Sequence, residues 1–89
     1  MISLTLTQQR ALIFIAGHIE SNGRAPSYRQ IAAGCGVGSA SAAHKVVMRL
    51  VDRGAVRVHG GITPTGKVKI PRAPDGEPLF FVPAPEARP

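Results

Sequence analysis

The first recurrent pattern along this chain is helical. Leu12, Ile15, Ala16 and Ile19 form one apolar stripe, and Ile13 and Phe14 widen it. Thr5 stands ahead of the stripe with Gln8 three residues on, the spacing at which two side chains satisfy each other's free backbone N–H groups at a helix start. A first helix is predicted from about Leu6 to Ser21, closing at Asn22-Gly23. Ser27 and Gln30 repeat the capping-box spacing after Pro26. They open a short second helix from Tyr28 to about Gly34, with Ile31, Ala32 and Cys35 inward. Gly34, Gly36 and Gly38 read as a turn, because glycine accepts a left-handed backbone without steric cost. Ser39 then caps a third helix running to Arg53, with Gly54 as the residue just past its end. Ala43, Val47, Leu50 and Val51 lie on its inner face and Val46 flanks them.

After Gly54 the period falls from 3.6 to 2. Val56 and Val58 alternate with Arg57 and His59, and Val68 and Ile70 alternate with Lys67 and Lys69. The expected element is a two-stranded hairpin with Gly60 to Gly66 as its tip, and its valine face needs the helices to pack on. The expected fold class is thus mainly α with a small β-hairpin, a three-helix winged helix-turn-helix. Six of the eight prolines fall in residues 71–89. That segment is expected to be an extended Pro-rich tail, separate from a folded domain over residues 1–70.

Composition sharpens this division. The chain has 89 residues and a formal net charge of +6. Residues 1–70 carry nine of the eleven Lys and Arg against Glu20 and Asp52, a net of +7, whereas the tail sums to −1. The basic character therefore belongs to the domain and points to a polyanionic partner. A chain this short buries only about 60–65% of its unfolded surface, so its core is thin. A single cysteine, Cys35, excludes an internal disulfide and a cysteine-based zinc site, and its place in the pattern is that of a small core residue. No run of 18 apolar residues suggests a membrane span, and no secretory signal is visible, so a cytoplasmic protein, bound to the nucleoid, is expected.

The residues also resemble a known family. Leu4-Thr5-Leu6-Thr7-Gln8-Gln9-Arg10 looks like the opening of the LexA repressor DNA-binding domain. The stretch Gly23 to Ala32 resembles that family's G-x-x-P-(S/T)-x-x-(E/Q)-I-A segment. Gly36-Val37-Gly38-Ser39, followed by Leu50-Val51-Asp52-Arg53-Gly54, resembles its recognition helix and exit. The match covers roughly residues 4–60 without a gap. The resemblance implies a sequence-specific binder of double-stranded DNA that regulates transcription, here expected as a repressor. Full-length relatives carry a C-terminal Ser-Lys self-cleaving domain that also dimerises them. With the sequence closing at Pro89, this chain is expected to work without that domain, in the manner of a compact phage or mobile-element regulator. Two other departures bear on specificity. Ser41 stands where the family commonly has Asn, and His44 and Lys45 stand where it has acidic residues, so base preference does not carry over. The wing sequence Gly60 to Gly66 also differs.

In a helix-turn-helix the second helix of the motif enters the major groove by its N-terminal end. The face of the third helix opposite Ala43, Val47 and Leu50 carries Ser41, Lys45, Met48 and Asp52, flanked by His44 and Arg49. Ser41, His44 and Lys45 lie near its leading end and are the candidate base contacts; a lysine suits guanine O6 and N7. Candidate backbone contacts are Ser27, Tyr28, Arg29 and Ser39 at helix starts, Arg49 on the third helix, and Arg57, Lys67 and Lys69 on the wing. Each has a plainer alternative. Lys45 and Arg49 are also what a solvated helix face carries, and Ser27 and Ser39 are first of all caps. His18 reads as a boundary residue of the first helix and His59 as a strand end. The three histidines lack i, i+4 spacing, so no metal site is expected, and no cofactor.

Three other functions compete. Leu79-Phe80-Phe81-Val82 is an apolar patch in the tail, and with the plain alanine-rich third helix it supports a winged-helix module that binds a protein partner instead. An enzyme is disfavoured, since paired carboxylates, a Ser-His-Asp set and a metal cluster are all missing from the pattern. Single-strand binding by stacking has only Phe14 and Tyr28 to draw on within residues 1–70. Since one helix-turn-helix reads few base pairs, a homodimer on DNA is expected.

Overall fold

The computed structural model describes residues 4–68. Readings that fall on Lys69, Ile70 and the tail, including Leu79, Phe80, Phe81 and Val82, lie outside the described residues. Three helices are followed by a two-stranded antiparallel sheet: α1 Leu6–Asn22, α2 Tyr28–Cys35, α3 Ala40–Asp52, β1 Val56–Arg57 and β2 Thr63–Pro64. This is the mainly helical winged helix expected from the periodicity.

The helix starts follow their capping residues. Thr5 accepts from the Gln8 N–H at 3.1 Å while Gln8 Oε1 accepts from the Thr5 N–H at 3.1 Å. Ser27 and Gln30 form the same reciprocal pair at 3.1 and 2.8 Å. Ser39 Oγ accepts from the Ala42 N–H at 3.1 Å and caps α3. The ends are equally local. Gly23 and Gly36 take left-handed φ values of 76° and 81° and stop α1 and α2. At the end of α3 the Ala55 N–H reaches Leu50 O and the Gly54 N–H reaches Val51 O, both at 2.9 Å, which closes the last turn and satisfies its carbonyls.

The core draws on all three helices and the wing. Leu12 and Ile15 of α1, Ile31 and Cys35 of α2, and Val47 and Leu50 of α3 meet Val56 and Ile62 of the wing, all buried. Met48, expected on the open face of α3, is instead half-buried and packs on the core edge with Val46 and Val51. Gly34 is inside α2, not in the following turn. A Cβ there would overlap the Phe14 ring, so the missing side chain is what lets α1 and α2 approach.

The wing departs from the expected hairpin. Its second strand is Thr63–Pro64, earlier than Val68 and Ile70, with Val56 opposite Pro64 and Arg57 opposite Thr63. The reason is the tight turn: Gly60 and Gly61 both have positive φ, and the chain reverses within residues 58–62. Thr65 then locks the returning strand. Its N–H donates to Ala55 O at 2.9 Å and its hydroxyl to Gly54 O at 2.6 Å. Val58, expected on the packed face with Val56, is 38% exposed because β1 has ended before it. The turn rests on the α1–α2 loop, where a Cβ on Gly61 would lie 3.4 Å from that of Ala25.

Candidate nucleic-acid interface

The turn between α2 and α3, together with buried Ala43, Val47 and Leu50, fixes which side of α3 faces outward. Ser41, His44, Lys45 and Arg49 are all exposed on it. The three base-contact candidates thus share one open surface in the first half of α3. His44 has an aromatic neighbour outside its helix. Its ring lies 5.0 Å from the Tyr28 ring, inclined at 60°. That contact joins the opening residue of α2 to the open face of α3.

The backbone-contact candidates divide into two groups. Arg29 and Ser39 line one groove of about 410 Å³, floored by Ala32, Ala33 and Val37 at the elbow between α2 and α3. Ser27 and Tyr28 line a second cleft of about 740 Å³ between the α1–α2 loop and the wing, with Arg24, Val58 and Ile62. Both serines are exposed, and both use the hydroxyl oxygen as an acceptor for a helix N–H. Each hydroxyl proton remains available to an incoming acceptor. The free N–H groups of the first turn of α3 add a favourable field for an anion at the same end.

Arg57 is exposed on β1. Lys67 is exposed but follows β2 by three residues, so it does not share a strand face with Arg57 as the alternation suggested. Its N–H donates to Thr65 Oγ1 at 3.2 Å, which holds the backbone there close to the wing. Lys69 lies outside the described residues. Sequence reasoning passed over Arg24, an exposed cation in the same cleft as Ser27 and Tyr28. Its position in a loop gave no periodicity to mark it. His18, read as a boundary residue, is half-buried, with Nδ1 3.0 Å from Arg24 O. It therefore anchors the start of that loop. His59 is exposed two residues past β1.

Arg24, Arg29, Lys45, Arg49, Arg53, Arg57 and Lys67 are all exposed, against exposed Glu20 and Asp52 among the described residues. Among the described residues, no group of three or more His, Cys, Asp or Glu is arranged to hold a metal ion. No helix among them is long and apolar enough to cross a membrane. Burial pushes the Cys35 thiol above its ordinary value of 9.0, outweighing the backbone hydrogen bonds at Val37 and Cys35 and the charge of Arg10. A thiol so held is a core residue rather than a nucleophile.

No match is found among curated proteins. The family model described as the LexA DNA binding domain matches residues 1–64, a span that holds all three helices and both strands of the wing. With its capped helices, glycine elbow and short wing all inside that span, the chain belongs to the LexA DNA-binding domain family.

Proposed function

We propose that this protein is a sequence-specific regulator of transcription that binds double-stranded DNA with α3 in the major groove. The observation that carries the reading is the outward face of α3, where Ser41, His44 and Lys45 are exposed together near its leading end. In this arrangement Lys45 donates to guanine O6 or N7, Ser41 accepts more than one base, and His44 contacts a neighbouring base edge. Ser27, Arg29 and Ser39 hold phosphates at the two helix starts, and Arg49 reaches the backbone beyond the groove. Tyr28 adds a hydroxyl at the same edge. Arg57 and Lys67 bind the backbone through the wing, and Arg24 adds a cation in the cleft with Ser27 and Tyr28. Its chemistry is recognition, not catalysis, and it acts where the DNA is, in the cytoplasm.

Binding over a promoter gives repression. Two copies on a palindromic site, with half-sites about one helical turn apart, supply the specificity that a single reading helix lacks. Selection of binding sites from a random duplex pool at fixed salt tests the proposal. The expected result is one enriched motif whose binding is abolished by Lys45→Glu. An unenriched pool, or a Lys45→Glu variant that binds the motif as well as the parent, refutes the groove assignment.

A further inference from the structure

The contact between Tyr28 and His44 carries a consequence for how the surface reads a base. An imidazole on an exposed helix face ordinarily samples several rotamers, and ordering it on a base costs entropy at the moment of binding. His44 does not stand alone. Its ring packs against Tyr28 with centroids 5.0 Å apart and planes inclined at 60°, the edge-to-face arrangement that aromatic quadrupoles favour. Tyr28 is itself held. It is half-buried, it packs against the hydrophobic core, and it opens α2 directly after the Ser27 cap. A fixed aromatic on one helix of the motif therefore braces a polar ring on the other. The two residues are sixteen positions apart and meet only because α2 and α3 cross.

We infer that Tyr28 is a positioning residue for base readout, setting the orientation of the His44 imidazole before DNA arrives. This rests on the reading of His44 as a base contact. It assigns Tyr28 a role beyond the phosphate contact that its hydroxyl could make. The two roles separate cleanly, because a phosphate contact through the hydroxyl needs oxygen and a brace needs only the ring. Tyr28→Phe removes the oxygen and keeps the ring. Tyr28→Leu keeps an apolar body for the core and removes the ring.

The experiment measures affinity for the selected motif and for each single-base variant of it, using the full chain and the three variants His44→Ala, Tyr28→Phe and Tyr28→Leu. The expected result is that His44→Ala flattens base preference at one position of the half-site. Tyr28→Leu should flatten preference at that same position by about threefold to tenfold, in line with the strength of an aromatic pair. Tyr28→Leu and Tyr28→Phe both lack the hydroxyl, so their affinities for a random duplex should agree within about twofold, and Tyr28→Phe should retain the parent's base preference. Adding His44→Ala to Tyr28→Leu should flatten that position no further than His44→Ala alone. If His44→Ala flattens a position and Tyr28→Leu does not, the inference is wrong while the base-contact reading stands. If Tyr28→Leu weakens every duplex equally and leaves the base preference as it is in Tyr28→Phe, Tyr28 is a phosphate or folding residue alone and the inference is wrong. If His44→Ala changes no preference, the base-contact reading fails and the inference falls with it. An independent measurement needs no variant to fold. Cross-relaxation between the Tyr28 and His44 ring protons should be visible in the free parent protein, and its absence would overturn the brace directly.

Discussion

Two residues show how burial decides chemistry in so small a core. Gly34 lies within α2 with an ordinary helical backbone, so an alanine there gains helix propensity worth about 1 kcal/mol. The cost is overlap of the new Cβ with the Phe14 ring, and forced overpacking of this kind costs about 1–3 kcal/mol. The second effect is expected to win, and Gly34→Ala should destabilise the protein by about 1 kcal/mol in urea unfolding. In a Phe14→Ala background the obstruction is gone, and the same substitution should turn neutral or stabilising; equal penalties in both backgrounds would show that the ring is not the obstacle. Cys35 gives a pH prediction. Its folded thiol is held above the ordinary 9.0 by burial, so the folded state keeps a proton that the unfolded state releases. Its contribution is whole below pH 9.0 and declines as pH rises from there through the raised folded value. Stability measured from pH 8 upward should fall more steeply in the parent than in Cys35→Ala, and parallel profiles would contradict a protected thiol.

At the scale of the element, legibility depended on whether the signal was local. The starts of all three helices were readable because each is set by a side chain acting three residues away, at Thr5, Ser27 and Ser39. The exit of α3 was readable because Gly54 takes the left-handed turn with φ of 76°. The wing was misread for the opposite reason. Lys67-Val68-Lys69-Ile70 has the better strand pattern, yet the Gly60-Gly61 turn brings Thr63–Pro64 back first, and the Thr65 bonds to Gly54 and Ala55 secure that register. A proline counts against a central strand, but in a two-stranded wing it can sit with its nitrogen on the unpaired side. The outward face of α3 was legible from period alone except at Met48, which leans back on the core. The bracing of His44 by Tyr28 was not legible, because helix crossing and not sequence spacing creates it. The caps also allow two roles to be separated. Ser39→Ala should cost about 1 kcal/mol of stability, whereas Ser39→Asp keeps a good capping oxygen and should stay within about 0.5 kcal/mol of the parent. On DNA the order reverses. The aspartate sets a negative charge against phosphate and should weaken binding by about tenfold or more, with alanine milder. If Ser39→Asp binds as tightly as the parent, Ser39 is a cap alone.

At the scale of the whole molecule, the question is how the exposed cations divide their work. The net charge of +7 on residues 1–70 explains attraction to any duplex, and by itself it explains no preference among sequences. In the proposed reading, preference comes from the few side chains on the leading half of α3, while the cations on the wing fix orientation. Arg57 and Lys67 are exposed on or just after the wing, away from α3 in the chain and on separate segments of backbone. Substituting each by glutamine should therefore remove one phosphate contact per copy without touching a base. For each substitution, the slope of log affinity against log salt should become shallower by about 0.9 per copy bound, and the loss in affinity should be equal on the selected motif and on a random duplex. Lys45→Gln should behave differently, losing more on the motif than on the random duplex, since its donor is assigned to a base. Titrations at three salt concentrations on both duplexes separate the two patterns. A Lys45→Gln variant that loses affinity equally on both would move Lys45 to the backbone group, and an Arg57→Gln variant that alters base preference would place the wing in a groove.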